Sequence, residues 1–192
     1  MEMGQGDHNH PFAFRSDCAG DAGGYSFNAT SALIEPWYAA TLMPGVYHVD
    51  DYETHISATL TNKTPVGPYR GVGWTPGHTA RELILDGVAR DLGLDPAELR
   101  KKNMIRSDEF PYAQCTGQVY DSGSFVESVD AALELVGYAE LRQEQAVGRE
   151  QGRYIGIGIS PYVEPTGFGT EIASQQAGFP FPSHDNATVT MD

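Results

Sequence analysis

The residues best suited to chemistry fall in one loop, Thr-Asn-Lys-Thr-Pro-Val-Gly-Pro-Tyr-Arg-Gly-Val-Gly, residues 61–73. Three glycines and two prolines within residues 65–73 exclude a regular helix or strand. Gly71 and Gly73 are free to adopt positive φ and carry no side-chain bulk, so another group can approach this backbone closely. Between Tyr69 and Gly71 stands a single guanidinium, Arg70. Arginine presents a planar fork of donors matched to an oxyanion or oxo group. In an acidic protein the simpler reading is an ion pair between Arg70 and a neighbouring carboxylate.

Other constellations carry less. Asp7-His8-Asn9-His10 offers two imidazoles on a polar terminus, too few for a metal site. Cys18 and Cys115 lie far apart and match neither a disulfide framework nor a zinc spacing, which suggests two reduced thiols. Gly156-Ile-Gly158 is half of a dinucleotide fingerprint with no helix after it, so a Rossmann site is excluded. Nucleophile-elbow, zincin, Walker and Cys-x-x-Cys motifs are absent. Paired carboxylates such as Asp50-Asp51 and Asp108-Glu109 read as solvated surface.

The elements that position the loop follow from periodicity. Phe12 and Phe14 share one face of a short strand that turns at Ser16–Gly20. Residues 31–43 suit a helix with an aromatic face, though Pro36 within it also permits a strand. From Val46 to Leu60 the alternation of Tyr52, Thr54, Ile56 and Ala58 with Glu53, His55, Ser57 and Thr59 predicts a half-buried strand. Thr75–Leu94 is the strongest helix. Its expected apolar stripe is Ala80, Leu83, Ile84, Gly87, Val88 and Leu92, with Arg81 and Glu82 off it. Asp95-Pro-Ala-Glu98 starts a short helix with Asp95 as N-cap and Pro96 at its first position. Residues 106–121 read as a loop. Ser124 and Glu127 suggest a capping box for a helix carrying Phe125, Val129, Leu133 and Val136, followed by a charged helix over 139–150. Tyr154–Ser160 places Ile at alternate positions with glycines between, a strand with a close neighbour on its small face. Residues 187–191 read as a further strand.

Composition limits the function classes. The chain has 192 residues, 12 Lys+Arg against 26 Asp+Glu, and a formal net charge of −14. That charge argues against a nucleic-acid partner and against binding anionic membrane. No apolar run is long enough to span a bilayer, and the first residues lack the basic and apolar regions of a secretory signal, so a cytoplasmic protein is expected.

In order and spacing, several blocks together resemble the molybdopterin-binding large subunit of the xanthine dehydrogenase, aldehyde oxidase and carbon monoxide dehydrogenase family. They are Thr64-Pro-Val-Gly-Pro-Tyr-Arg-Gly-Val-Gly73, Leu92-Gly-Leu-Asp-Pro-Ala-Glu-Leu-Arg-Lys-Lys-Asn103, Phe110-Pro-Tyr112, Gly117-Gln-Val-Tyr-Asp-Ser-Gly123 and Gly156-Ile-Gly-Ile-Ser160. The resemblance covers about residues 11–192. It implies an α+β fold that is part of the molybdenum-cofactor-binding domain. Residues 1–150 would be the C-terminal part of a first molybdopterin-binding half, and 151–192 the start of a second.

The implied activity is hydroxylation of a heterocycle or aldehyde with water as the oxygen source. The cofactor is a molybdenum-pterin, and electrons leave through FAD and iron–sulfur clusters on partner subunits. By resemblance Arg70 is the catalytic loop arginine beside the metal's oxo and sulfido ligands. Tyr69, Arg70, Gly71 and Gly73 are cofactor-binding, and Val72, Tyr162 and Glu164 line the substrate pocket. Xanthine- and aldehyde-oxidising members place a stacking Phe where Val72 stands, which disfavours purine stacking. Carbon-monoxide-oxidising members hold copper with a Cys where Gly71 stands, which disfavours that activity. The family's preceding Gly-rich loop, later Gln-Gly loop and distant C-terminal Glu base have no match here, and no protein metal ligand is identified. The chain is therefore expected to be an internal piece of the subunit, completed by other parts and by FAD and iron–sulfur subunits, and inert alone. A non-catalytic assembly module and a truncated reading frame remain the alternatives.

Overall fold

The computed structural model describes residues 2–5, 12–25, 31–164 and 187–191. The chain divides into two units, Met1–Tyr162 and Val163–Asp192. In the first, β1 (Glu2–Gln5), β2 (Phe12–Gly23) and β3 (Val49–Leu60) form one sheet in the order β1-β2-β3. β1 pairs antiparallel to β2, and β2 pairs parallel to β3. Parallel neighbours need a crossover, supplied here by helix α1 (Ser31–Thr41). The expected turn at Ser16–Gly20 is instead strand. β2 runs through it because β3 supplies a continuous ladder, with Ser16 opposite Thr54 and Cys18 opposite Ile56. Ser16 Oγ lies 2.8 Å from Tyr52 Oη and 2.9 Å from Thr54 Oγ1, so the polar residue that suggested a turn is satisfied within the sheet.

α1 is helical despite Pro36. Its Tyr38 ring packs edge-on against Trp74, with ring centroids 5.7 Å apart. Helix α2 (Trp74–Leu92) crosses α1 where both backbones come very close. A Cβ on Gly73 would overlap the Glu35 carbonyl oxygen and the Ala39 nitrogen, and one on Gly77 would lie 2.8 Å from the Ala39 carbonyl oxygen. Small residues at this i, i+4 spacing allow the contact. α2 ends at Gly93 in the left-handed conformation, as expected of a C-terminal glycine.

The buried face of α2 differs from the expected stripe. Trp74, Gly77, His78, Arg81, Glu82, Leu85 and Ala89 face inward, while Leu83 is 66% exposed. The periodicity is right but the face is rotated, because Arg81 and Glu82 are buried as an ion pair.

α3 (Pro96–Asn103) starts as its sequence requires: Asp95 accepts hydrogen bonds from the Ala97 and Glu98 amides. Residues 112–120 fold into a hairpin, β4 (Tyr112–Ala113) against β5 (Val119–Tyr120), with Gly117 at φ 85° in its turn. α4 (Phe125–Val136) and α5 (Tyr138–Glu150) meet at left-handed Gly137. The expected capping box does not form. Ser124 makes no capping hydrogen bond, and Glu127 accepts one from Ser107 instead. Residues 154–160 and 187–191 enter no sheet among the described residues, contrary to expectation. A strand is stable only where a neighbour pairs its amides.

Among the described residues no helix is long and apolar enough to cross a membrane. Cys18 and Cys115 are free thiols.

Candidate functional site

Arg70, Gly71, Val72 and Gly73 make one continuous turn, preceded by Tyr69, that delivers the chain into α2. The Trp74 amide donates to the Gly71 carbonyl at 3.0 Å, and Gly71 adopts φ 77°, a conformation that strains any residue with a side chain. Gly73 is clamped against α1, so the turn is anchored at its C-terminal end by backbone packing. Its other side is open. Tyr69 is 86% exposed, and Arg70 is exposed with no hydrogen bond or ion pair to a described residue. The expected pairing of Arg70 with a carboxylate is therefore not found among the described residues. Gly71 and Val72 are half-buried.

The turn suits an oxyanion or an oxo-bearing cofactor on two counts. Its guanidinium is unengaged by described residues, and the backbone beside it lacks a Cβ. Such a turn supplies one cationic contact and close backbone approach. It does not supply a metal-ligand set: among the described residues no three His, Cys, Asp or Glu side chains gather to hold an ion.

Tyr162 lies apart from the turn in sequence, with its ring centroid 5.9 Å from that of His78. Glu164 is an exposed residue of the second unit.

Further along α2 begins a cluster of buried charges that the sequence reading missed. Arg81 and Arg100 are fully buried, and Glu82 is nearly so. The Arg81 Nε donates to one Glu82 oxygen and the Arg100 Nε to the other, each at 2.7 Å. The Tyr47 hydroxyl donates to both oxygens at 3.1 and 3.0 Å. Arg81 also donates to the carbonyls of Met43 and Pro161, and Arg100 pairs with Asp86 at 2.8 Å. Glu82 and Asp86 balance the two guanidinium groups. Burial, then the neighbouring Glu82, pushes the Tyr47 hydroxyl well above its ordinary pKa, keeping it a proton donor.

His78 adjoins this cluster. It is buried, its Nε2 has no hydrogen-bond partner among the described residues, and burial followed by the Arg81 charge lowers its pKa to about 4. The sequence did hold a signal for these residues. Positions 74, 77, 78, 81, 82, 85 and 89 recur at helical spacing once a mutually neutralising Arg-Glu pair is admitted to the buried face.

Comparison with known proteins agrees with this architecture. The molybdopterin cofactor-binding domain family matches residues 1–104. The nicotine 6-hydroxylase large subunit of Paenarthrobacter nicotinovorans is 40% identical over 173 residues, which are 90% of this chain and 21% of that protein. The carbon monoxide dehydrogenase large chain of Hydrogenophaga pseudoflava is 34% identical over 130 residues, 65% of this chain and 16% of that one. The structure of quinoline 2-oxidoreductase from Pseudomonas putida 86 superposes with a TM-score of 0.74 at 35% identity, covering 88% of this chain and 21% of that one. The chain thus spans about a fifth of the length of these relatives. With more than half of its residues matched, the protein belongs to the molybdopterin cofactor-binding domain family and carries that family's α+β fold.

Proposed function

We propose that the chain is an internal part of the large subunit of a molybdenum hydroxylase. Its two cofactor-binding portions are divided near residue 150. FAD and iron–sulfur clusters reside on partner subunits, and the assembly is cytoplasmic. The bound cofactor supplies a metal centre that takes two electrons from substrate as oxygen from water is added. Arg70 supplies a positive charge to the cofactor's oxygen atoms, Gly71 and Gly73 admit it close to the backbone, and Tyr69 flanks it. Val72 and Tyr162 face the substrate. Nicotine and quinoline in the names of two similar proteins favour a nitrogen heterocycle over an aldehyde.

The observation that carries this reading is the anchored turn with an exposed Arg70 that no described residue engages. A second reading is a non-catalytic assembly module that keeps the fold and binds the other parts of the subunit without taking part in turnover.

Arg70→Ala separates the two. It should leave the unfolding midpoint of the chain within about 1 °C, and lower turnover of the assembled enzyme by about 100-fold or more. Undiminished turnover overturns the catalytic role of Arg70. Stoichiometric molybdenum on the purified 192-residue chain overturns the reading that its site is incomplete.

A further inference from the structure

Resting on the catalytic reading of Arg70, we infer that Asp21, near the end of β2, is a positioning residue that fixes the Arg70 turn from its N-terminal side. The C-terminal side is held by Gly73 against α1. The N-terminal side needs its own hold, since residues 61–69 belong to no helix or strand. β2 ends irregularly to provide it. Its register against β3 shifts between Asp21 and Gly23, and Gly23 adopts φ 75°. Such a bulge re-aims the side chains beside it. Asp21 Oδ1 accepts from the Gly23 amide at 3.0 Å and from the Thr61 hydroxyl at 2.7 Å, while Oδ2 accepts from the Lys63 ammonium. One carboxylate therefore joins the end of the strand to the first residues of the loop.

The backbone is joined at the same place. The Thr61 amide donates to the Gly23 carbonyl at 2.9 Å, the Gly24 amide to the Lys63 carbonyl at 2.8 Å and the Val66 amide to the Ala22 carbonyl at 3.2 Å. A Cβ on Gly23 would lie 2.3 Å from the Thr64 carbonyl oxygen, so strand end and loop meet backbone to backbone. These ties end at Val66. The next fixed point is Gly71, whose carbonyl accepts from the Trp74 amide. Only Gly67, Pro68, Tyr69 and Arg70 lie between, and the ring of Pro68 fixes its own φ. Arg70 thus stands on a four-residue arc strung between two clamps, and its place depends on both.

The Lys63 ion pair is the lesser part of the hold. Its side chains are 76% and 35% exposed, and exposed pairs contribute little. Oδ1 sets the geometry, because a single oxygen takes one donor from the strand and one from the loop. A group that must meet a reacting centre loses about 100-fold in rate when misplaced by about 1 Å, so a clamp remote from the chemistry still governs it.

The first measurement is amide hydrogen exchange in the 192-residue chain. Asp21→Ala should speed exchange about 10-fold at Val66 and also at Trp74, beyond Arg70, while Leu94, bonded to the Ala89 carbonyl at the far end of α2, keeps its rate. Asp21→Asn retains Oδ1 and should exchange like the parent. Faster exchange at Val66 alone, at none of the three amides or at all three alike overturns the proposal, as does an Asp21→Asn pattern that matches Asp21→Ala. The second measurement is turnover of nicotine by the assembled enzyme. Asp21→Ala should lower kcat about 10-fold with KM held within about twofold, and Asp21→Asn should restore kcat to within about threefold of the parent. Undiminished kcat in Asp21→Ala beside an impaired Arg70→Ala overturns the proposal. Undiminished turnover in Arg70→Ala, or none in the parent, counts against the reading of the enzyme instead and leaves the exchange pattern to decide the clamp.

Discussion

Gly73 lies against the carbonyl oxygen of Glu35 with no room for a Cβ between them. This contact sets where α2 begins and therefore where the Arg70 turn ends. Gly73→Ala must push α1 and α2 apart, since the obstructing atoms are backbone. The expected cost is about 2 kcal/mol or more, a fall of roughly 4–8 °C in a thermal melt. Gly87→Ala is the control within the same helix. Nothing lies within 4 Å of its added carbon, so it should stabilise by about 0.5–1 kcal/mol through helix propensity.

Glu82 holds two buried guanidinium groups and the Tyr47 hydroxyl together. Glu82→Ala leaves two positive charges buried without that partner. A loss of about 3–5 kcal/mol is expected in urea unfolding. Tyr47→Phe removes only one donor to a carboxylate that keeps two others, and should cost about 1 kcal/mol. If the two variants were equally mild, the cluster would not organise this part of the fold.

His78 gives the protein an acid-sensitive limb. Its folded pKa is near 4, against an ordinary value of 6.5, so the folded state favours the neutral ring. Its contribution is complete above about pH 6.5 and is lost as pH falls from there toward 4, amounting to roughly 3 kcal/mol. His78→Phe should flatten stability over that window. Asp21 titrates lower. The Lys63 ammonium, the Thr61 hydroxyl and the Gly23 amide hold its carboxyl at about 2. Its contribution is present above its ordinary pKa of 3.8 and disappears as pH falls toward 2. Urea midpoints for His78→Phe and Asp21→Asn, measured from pH 7 to 2, should diverge from the parent in these separate ranges.

How legible these features were in the sequence depended on the range of their causes. Asp95 was readable as a cap because its partners are two and three residues away. The Arg70 turn was readable because glycine and proline act locally. The full length of β2 was not, since Ser16 and Cys18 become strand only opposite Thr54 and Ile56. Nor was the buried face of α2. Leu83 looks like core and Arg81 like surface until Glu82, Arg100 and Tyr47 converge from three parts of the chain. Ser124 and Glu127 matched a local motif, and Ser107, 20 residues earlier, took Glu127 away from it.

The buried cluster also governs how the protein responds to dissolved ions. Two arginines and one glutamate sit out of reach of the solvent, so the rest of the chain is more negative than its formal −14. Mobile counterions quiet the repulsion among those outer carboxylates, while the dry Arg81–Glu82–Arg100 contacts feel little of the same screening. Exposed pairs such as Arg15–Glu53 and Arg106–Asp108, at 3.9 and 3.6 Å, have little to lose. Sodium chloride should therefore raise the melting temperature, the behaviour of a polyanion wrapped around an interior that salt does not reach.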